Sequence, residues 1–153
     1  MSRLIIGPGK GHERKEGDVF LDMNPLWAEV VCDIEESPLP FDDNEFDSIE
    51  ILNVLEHIDK KGNYQRVINE IYRVLKPEGT VWIKVPYYLH IDAVATHDHC
   101  RFFCDHSFND FTIHNPTREE QGIKVKFDYV LKHTLPDSNG NPCQVEVILK
   151  KLI

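Results

Sequence analysis

Within its first 33 residues the chain repeats one pattern three times, a short apolar run that stops on a glycine or an acid. Arg3-Leu4-Ile5-Ile6 enters Gly7-Pro8-Gly9-Lys10-Gly11, Val19-Phe20-Leu21 ends at Asp22, and Glu29-Val30-Val31-Cys32 ends at Asp33. Runs this short, β-branched in part and bounded by turn residues, are buried strands. A fourth, Ser48-Ile49-Glu50-Ile51-Leu52, follows the acidic, proline-rich loop Ser37–Asn44. Between Lys61 and Leu75 the period changes. Tyr64, Val67, Ile68, Ile71, Tyr72 and Leu75 recur at the spacing of one helix face, and Pro77 and Gly79 are expected to stop that helix. Thr80–Val85 is then a fifth strand ending at Pro86. Residues 87–122 are rich in His, Asp and aromatics with no clean period. Val125–Leu131 and Gln144–Leu149, separated by the turn Pro136–Pro142, read as an antiparallel hairpin at a sheet edge. Strands alternating with connections make one α/β domain over residues 1–153 with a mostly parallel sheet.

Composition narrows the setting. With 153 residues, 41% of them hydrophobic, the chain is the size of one domain with its own core. A net charge of −9 repels phosphate backbones, so nucleic acid is not an expected partner. No apolar stretch reaches the length of a membrane span, and the four cysteines, Cys32, Cys100, Cys104 and Cys143, are too few and too uneven for a disulfide framework. A cytoplasmic protein with reduced thiols is expected.

In an open parallel sheet, ligands sit beyond the carboxyl ends of the strands, which brings the glycines, both acids and the loop after the fourth strand to one rim. Gly7, Gly9 and Gly11 let backbone approach a ligand closely. Asp22 can accept hydrogen bonds from two ribose hydroxyls, and Asp33 from an exocyclic adenine amine. The glycine spacing departs from the dinucleotide fingerprint at His12, and the few residues before the next strand leave little room for a pyrophosphate-binding helix. An adenosine ligand without phosphate fits better than a nicotinamide dinucleotide.

Five elements in chain order carry a family resemblance: Leu4–Gly11, Val19–Asp22, Asp33-Ile34-Glu35 with Leu39-Pro40-Phe41-Asp42-Asp43-Asn44-Glu45-Phe46-Asp47, then Val54-Leu55-Glu56-His57-Ile58, and Arg73-Val74-Leu75-Lys76-Pro77-Glu78-Gly79. Together they resemble the class I S-adenosylmethionine-dependent methyltransferases, small methyltransferase-domain type. The resemblance implies a Rossmann-like sheet with S-adenosyl-L-methionine as cofactor. It implies cofactor contacts from Gly7, Gly9 and Gly11, ribose binding by Asp22 beside Met23, adenine binding by Asp33 with Ile34, and a methionine-side wall from Leu52 and Asn53 to His57. Residues 1–86 are then the cofactor-binding half, 87–122 the acceptor side, and 123–153 the C-terminal hairpin. Glu78 stands where the family usually has glycine.

The family's helix before the first strand is missing here, and the connections after strands one and two are short. With helices reduced on one face, exposed apolar strands need cover. The expectation is a homodimer, or burial of that face by the long segment after strand five. Asp98-His99-Cys100-Arg101-Phe102-Phe103 with Ser107-Phe108 resembles a family stretch that shapes the acceptor pocket. Methyl transfer needs positioning and, for some acceptors, proton removal, for which His99 and then His57 are the candidates. The His/Cys spacing of 90–106 matches no recognised finger or ribbon, so no metal is assigned. The expected function is methyl transfer to a small-molecule or protein acceptor. The alternatives are a noncatalytic protein of the same fold that binds a partner or the cofactor, and a metal-binding module.

Overall fold

A computed structural model describes residues 1–59 and 62–153. Seven strands form one sheet: β1 (Arg3–Ile6), β2 (Asp18–Asp22), β3 (Val30–Val31), β4 (Phe46–Leu52), β5 (Leu75–Pro86), β6 (Phe127–Pro136) and β7 (Pro142–Lys151), with the helix α1 (Asn63–Val74) between β4 and β5. Their spatial order is β3-β2-β1-β4-β5-β7-β6; the first five are parallel, and β7 and β6 add the antiparallel hairpin. The central β1 is buried on both faces at Leu4, Ile5 and Ile6, as its sequence requires.

The elements differ from the expectation at their ends, for local reasons. The third strand is only two residues long, and just ahead of it the Glu29 carboxylate accepts from the Phe20 N–H at 3.1 Å and pairs with Arg14. Lys61, the expected first helical residue, lies outside the described residues. At its other end the helix stops at Val74, ahead of Pro77: Leu75 turns to extended backbone and pairs with Phe46. Backbone before a proline avoids the helical region, so Lys76 belongs to the strand. The register between β4 and β5 slips after Phe46. There Glu78 adopts φ 65°, and a Cβ on Gly79 would lie 2.8 Å from Lys76 O and 2.9 Å from Asp47 O. Lys151 closes the helix end. Its ammonium donates to Leu75 O at 2.6 Å, Tyr72 O at 2.7 Å and Asn44 Oδ1 at 2.8 Å, placing a cation where helix carbonyls lack partners.

The main core lies on the helix side of the sheet. Val67, Ile68, Ile71 and Val74 of α1 pack there with Leu4, Ile6, Ile49, Ile51, Val81 and Val147. The long segment after β5 joins this same side: Phe103 and Phe111 meet the helix residue Tyr64 at ring-centroid distances of 6.0 and 5.5 Å, and Phe108 is fully buried. It therefore does not cover the helix-free face, contrary to one of the two expectations above. That face is also less apolar than expected. Register places Phe20, Ile5, Glu50, Trp82, Ile148 and Leu131 in one row across six strands. Rows on either side carry Asp18, Arg3, Ser48, Thr80 and Lys150, or Lys84, Glu146 and His133. The Phe20 end is already covered, by the Arg14 guanidinium 4.1 Å from its ring and by His12 edge-on. Strand alternation thus leaves one apolar stripe, because outward positions on β4, β5 and β7 are largely polar.

Candidate active site

The carboxyl ends of β1 to β4 open into a cavity of about 700 Å³, within the usual range for small-molecule sites. Two glycines of the loop after β1 serve it differently. Gly7 sits at φ +68°, donates to Leu21 O at 2.9 Å, and leaves no room for a side chain: a Cβ would lie 2.4 Å from Val54 Cγ2. Gly9, at φ +58°, has nothing within 4 Å of an added Cβ, so its backbone borders open space.

Each acid-ended strand is held by its own carboxylate. Asp22 Oδ1 accepts from Asn24 N at 2.8 Å and Asp33 Oδ1 from Glu35 N at 2.9 Å, turning the chain sharply at the rim. After β4, Asn53 adopts φ 54° and donates its N–H to Lys84 O at 2.8 Å. Asparagine tolerates that left-handed conformation better than most residues. The next turn, Leu55–His57, is a single 3-10 turn. Its Glu56 carbonyl accepts from both Cys100 N at 2.8 Å and Arg101 N at 3.1 Å, which draws the histidine-rich segment against the cavity. His57 Nδ1 consequently lies 3.2 Å from Asp98 Oδ2, and the His57 and His99 rings meet edge-on at 4.8 Å. The Glu56 side chain points inward, 1% exposed, and burial pushes its carboxyl up to about 7.

Most of the expected cofactor residues line the cavity together: Gly7 and Gly9 after β1, Asp22 and Met23 after β2, Asp33 and Ile34 after β3, and Asn53 and His57 after β4. Gly11, Leu52 and His99 are not among its walls. Leu52 belongs to the row set of the helix-free face, Gly11 lies further along the loop than the bordering Gly9, and His99 packs against His57. Trp27 is a wall residue that sequence reasoning missed, whereas Val54 falls within the expected loop from Leu52 to His57 and Asp98 within the stretch expected on the acceptor side. Asp98 was legible as the neighbour of His99. Trp27, an aromatic residue in a polar turn and 42% exposed, was the other available signal.

A family model described as a methyltransferase domain matches residues 9–83, about half of the chain. Among solved structures, a chain of the complex between the Haloferax volcanii Trm112 methyltransferase activator and a methyltransferase superposes with a TM-score of 0.69 at 14% identity, covering 99% of this chain and 83% of that one. The chain has the Rossmann-like fold of the methyltransferases. A Methanosarcina mazei S-adenosylmethionine-dependent methyltransferase gives a TM-score of 0.60 at 17% identity, with 99% and 92% covered. The 1,6-didemethyltoxoflavin-N1-methyltransferase of Burkholderia thailandensis, solved with S-adenosylhomocysteine, gives 0.64 at 17%, with 99% and 71% covered. In sequence, the uncharacterized protein MJ0638 of Methanocaldococcus jannaschii is 38% identical over 94 residues, 58% of this chain; the match spans 35% of that protein, about a third of its length. Among the described residues no helix of this methyltransferase fold is long and apolar enough to cross a membrane.

Proposed function

We propose that the chain is an S-adenosylmethionine-dependent methyltransferase acting on a small-molecule or protein acceptor. One observation carries the reading: the glycine loop, both acid-ended strands and the turn after β4 line a single cavity. The residues present fit the cofactor, since Gly9 borders space that a side chain would enter and Asp22 and Asp33 stand at the two strand ends where ribose and adenine need acceptors. When bound, S-adenosylmethionine supplies a methyl group already activated on a sulfonium, so the protein's task is positioning. Asp22 would hold the ribose with Met23 beside it, Asp33 and Ile34 the adenine, and Asn53 to His57 the methionine side. Where an acceptor must lose a proton, His57 stands at the cavity wall with Asp98 beside its Nδ1, and His99 backs it.

Two further readings concern the setting. The half-exposed stripe Trp82, Ile148 and Leu131 supports a homodimer through the helix-free face. The four free cysteines support a cytoplasmic location. Isothermal titration with S-adenosylmethionine and S-adenosylhomocysteine tests the cofactor, with micromolar affinity expected; a folded sample that binds neither overturns the methyltransferase reading. Light scattering of the same sample tests the dimer, which a monomer at tens of micromolar overturns.

A further inference from the structure

The turn after β4 holds a carboxylate that no group among the described residues answers. Glu56 is 1% exposed, and among the described residues neither of its carboxylate oxygens has a hydrogen-bond partner. Nδ1 of the neighbouring His99 is likewise buried and unpartnered. A fold tolerates such a group poorly unless something else satisfies it. Ligand atoms of Glu56, His57 and His99 all lie within 4.8 Å of one another. Two imidazoles and one carboxylate form the donor set of zinc sites that keep a fourth position open, and of iron sites with open positions. Asp98, 3.2 Å from His57 Nδ1, stands where metal-binding histidines usually find a carboxylate for their second nitrogen.

We propose that Glu56, His57 and His99 bind one divalent transition-metal ion at the acceptor end of the cavity, with Asp98 positioning His57. This departs from the sequence expectation, which looked for ligands only inside the 90–106 segment and assigned none. Glu56 comes from outside that segment, carried to it by the backbone pairing with Cys100 and Arg101. The other two clusters of potential ligands among the described residues carry no comparable need: His90 accepts from Asp92 N, and His106 already pairs with Asp105 at 2.9 Å.

The ion's role rests on the methyl-transfer reading. Because His57 is a cavity wall, an open coordination position there would hold an oxygen of the acceptor and lower its proton affinity, the task otherwise left to imidazole. The acceptor O–H proton then leaves to solvent, the oxygen lone pair forms the new O–CH3 bond, and the electrons of the broken S–CH3 bond return to sulfur, giving S-adenosylhomocysteine.

The test uses the full chain, stripped with a chelator and titrated by calorimetry with Zn²⁺, Mn²⁺ and Mg²⁺, each also read as a shift in Tm. One Zn²⁺ or Mn²⁺ per chain at micromolar affinity or tighter is expected, at least tenfold tighter than Mg²⁺. Glu56→Gln and His99→Ala should each weaken binding at least tenfold, and His106→Ala should leave it unchanged. Glu56→Gln should also raise the Tm of the metal-free protein while abolishing the rise on adding metal; a purely structural Glu56 would instead lower the metal-free Tm. No binding of any of these ions by the folded chain, or binding that Glu56→Gln and His99→Ala leave untouched, overturns the proposal. S-adenosylmethionine titrated into the same samples separates the two readings. Metal binding without cofactor binding upholds the site and overturns methyl transfer, whereas cofactor binding without metal binding does the reverse.

Discussion

The two ends of the sheet treat their polar side chains in opposite ways. At the amino ends of the parallel strands the charged groups find partners: Arg3 pairs with Asp18 at 2.6 Å, Asp47 accepts from Ser2 N at 2.6 Å and Lys76 at 2.9 Å, and Lys151 satisfies three oxygens. At the carboxyl ends Glu56 and His99 hold buried polar atoms that have no partner among the described residues, beside an open cavity. Partnered groups serve the fold, and unpartnered buried polar groups mark where a ligand belongs. Substitutions at the first end should cost stability alone, and substitutions at the second should cost binding.

Gly7→Ala is the exception that tests both ends at once. Its Cβ would meet Val54 Cγ2 at 2.4 Å on backbone at φ +68°, so a loss of about 3–5 kcal/mol in stability is expected, together with loss of cofactor binding. A normal Tm with normal titration would show that the loop is not the cofactor wall. Lys151→Met leaves the Leu75 and Tyr72 carbonyls buried and unanswered, and urea denaturation should report about 2–3 kcal/mol lost with cofactor affinity intact. Reduced affinity in a folded Lys151→Met sample would erase the distinction between the ends. Asp22→Ala should cost about 2 kcal/mol of cofactor affinity by calorimetry, together with about 1 kcal/mol of stability from the turn its carboxylate holds at Asn24. Glu78→Gly releases a left-handed non-glycine at the expense of an exposed pair with Lys150, a net gain of about 1 kcal/mol in denaturation.

The smallest effect is a pH dependence. The Arg3 side-chain hydrogen bond holds Asp18 at about 2, below its usual 3.8. A lowered folded-state pKa contributes stability that is complete above pH 4 and lost as pH falls toward 2. Asp18→Asn should flatten that part of the acid-unfolding profile, and an unchanged slope would show the pair to be inert.

The parallel order, the helix and the terminal hairpin were legible because their signals are local: apolar period, turn residues, and acids that close strands. That these residues share one cavity was legible for the same reason, since Gly7, Asp22, Asp33 and Asn53 each stand at or just past the end of a strand. What escaped depends on contacts across the sequence. Nothing local says that Glu56 O receives the amides of residues 100 and 101, so the grouping of Glu56 with His99 was invisible. The helix-free face was misjudged because β4, β5 and β7 alternate, so an apolar-looking run hides a polar row.

Lys151 also bears on the order in which the molecule assembles. The carbonyls it satisfies lie 76 and 79 residues earlier in the chain, at the end of the helix, and its strand enters the sheet between β5 and β6. The helix can therefore form its turns early, but its last turn is not finished until the closing strand docks. Such distant closure slows the search, because the loop must be closed before the contact returns anything. Refolding is expected to end with a step in which the helix terminus and the final strand lock together, after the parallel half has already collapsed.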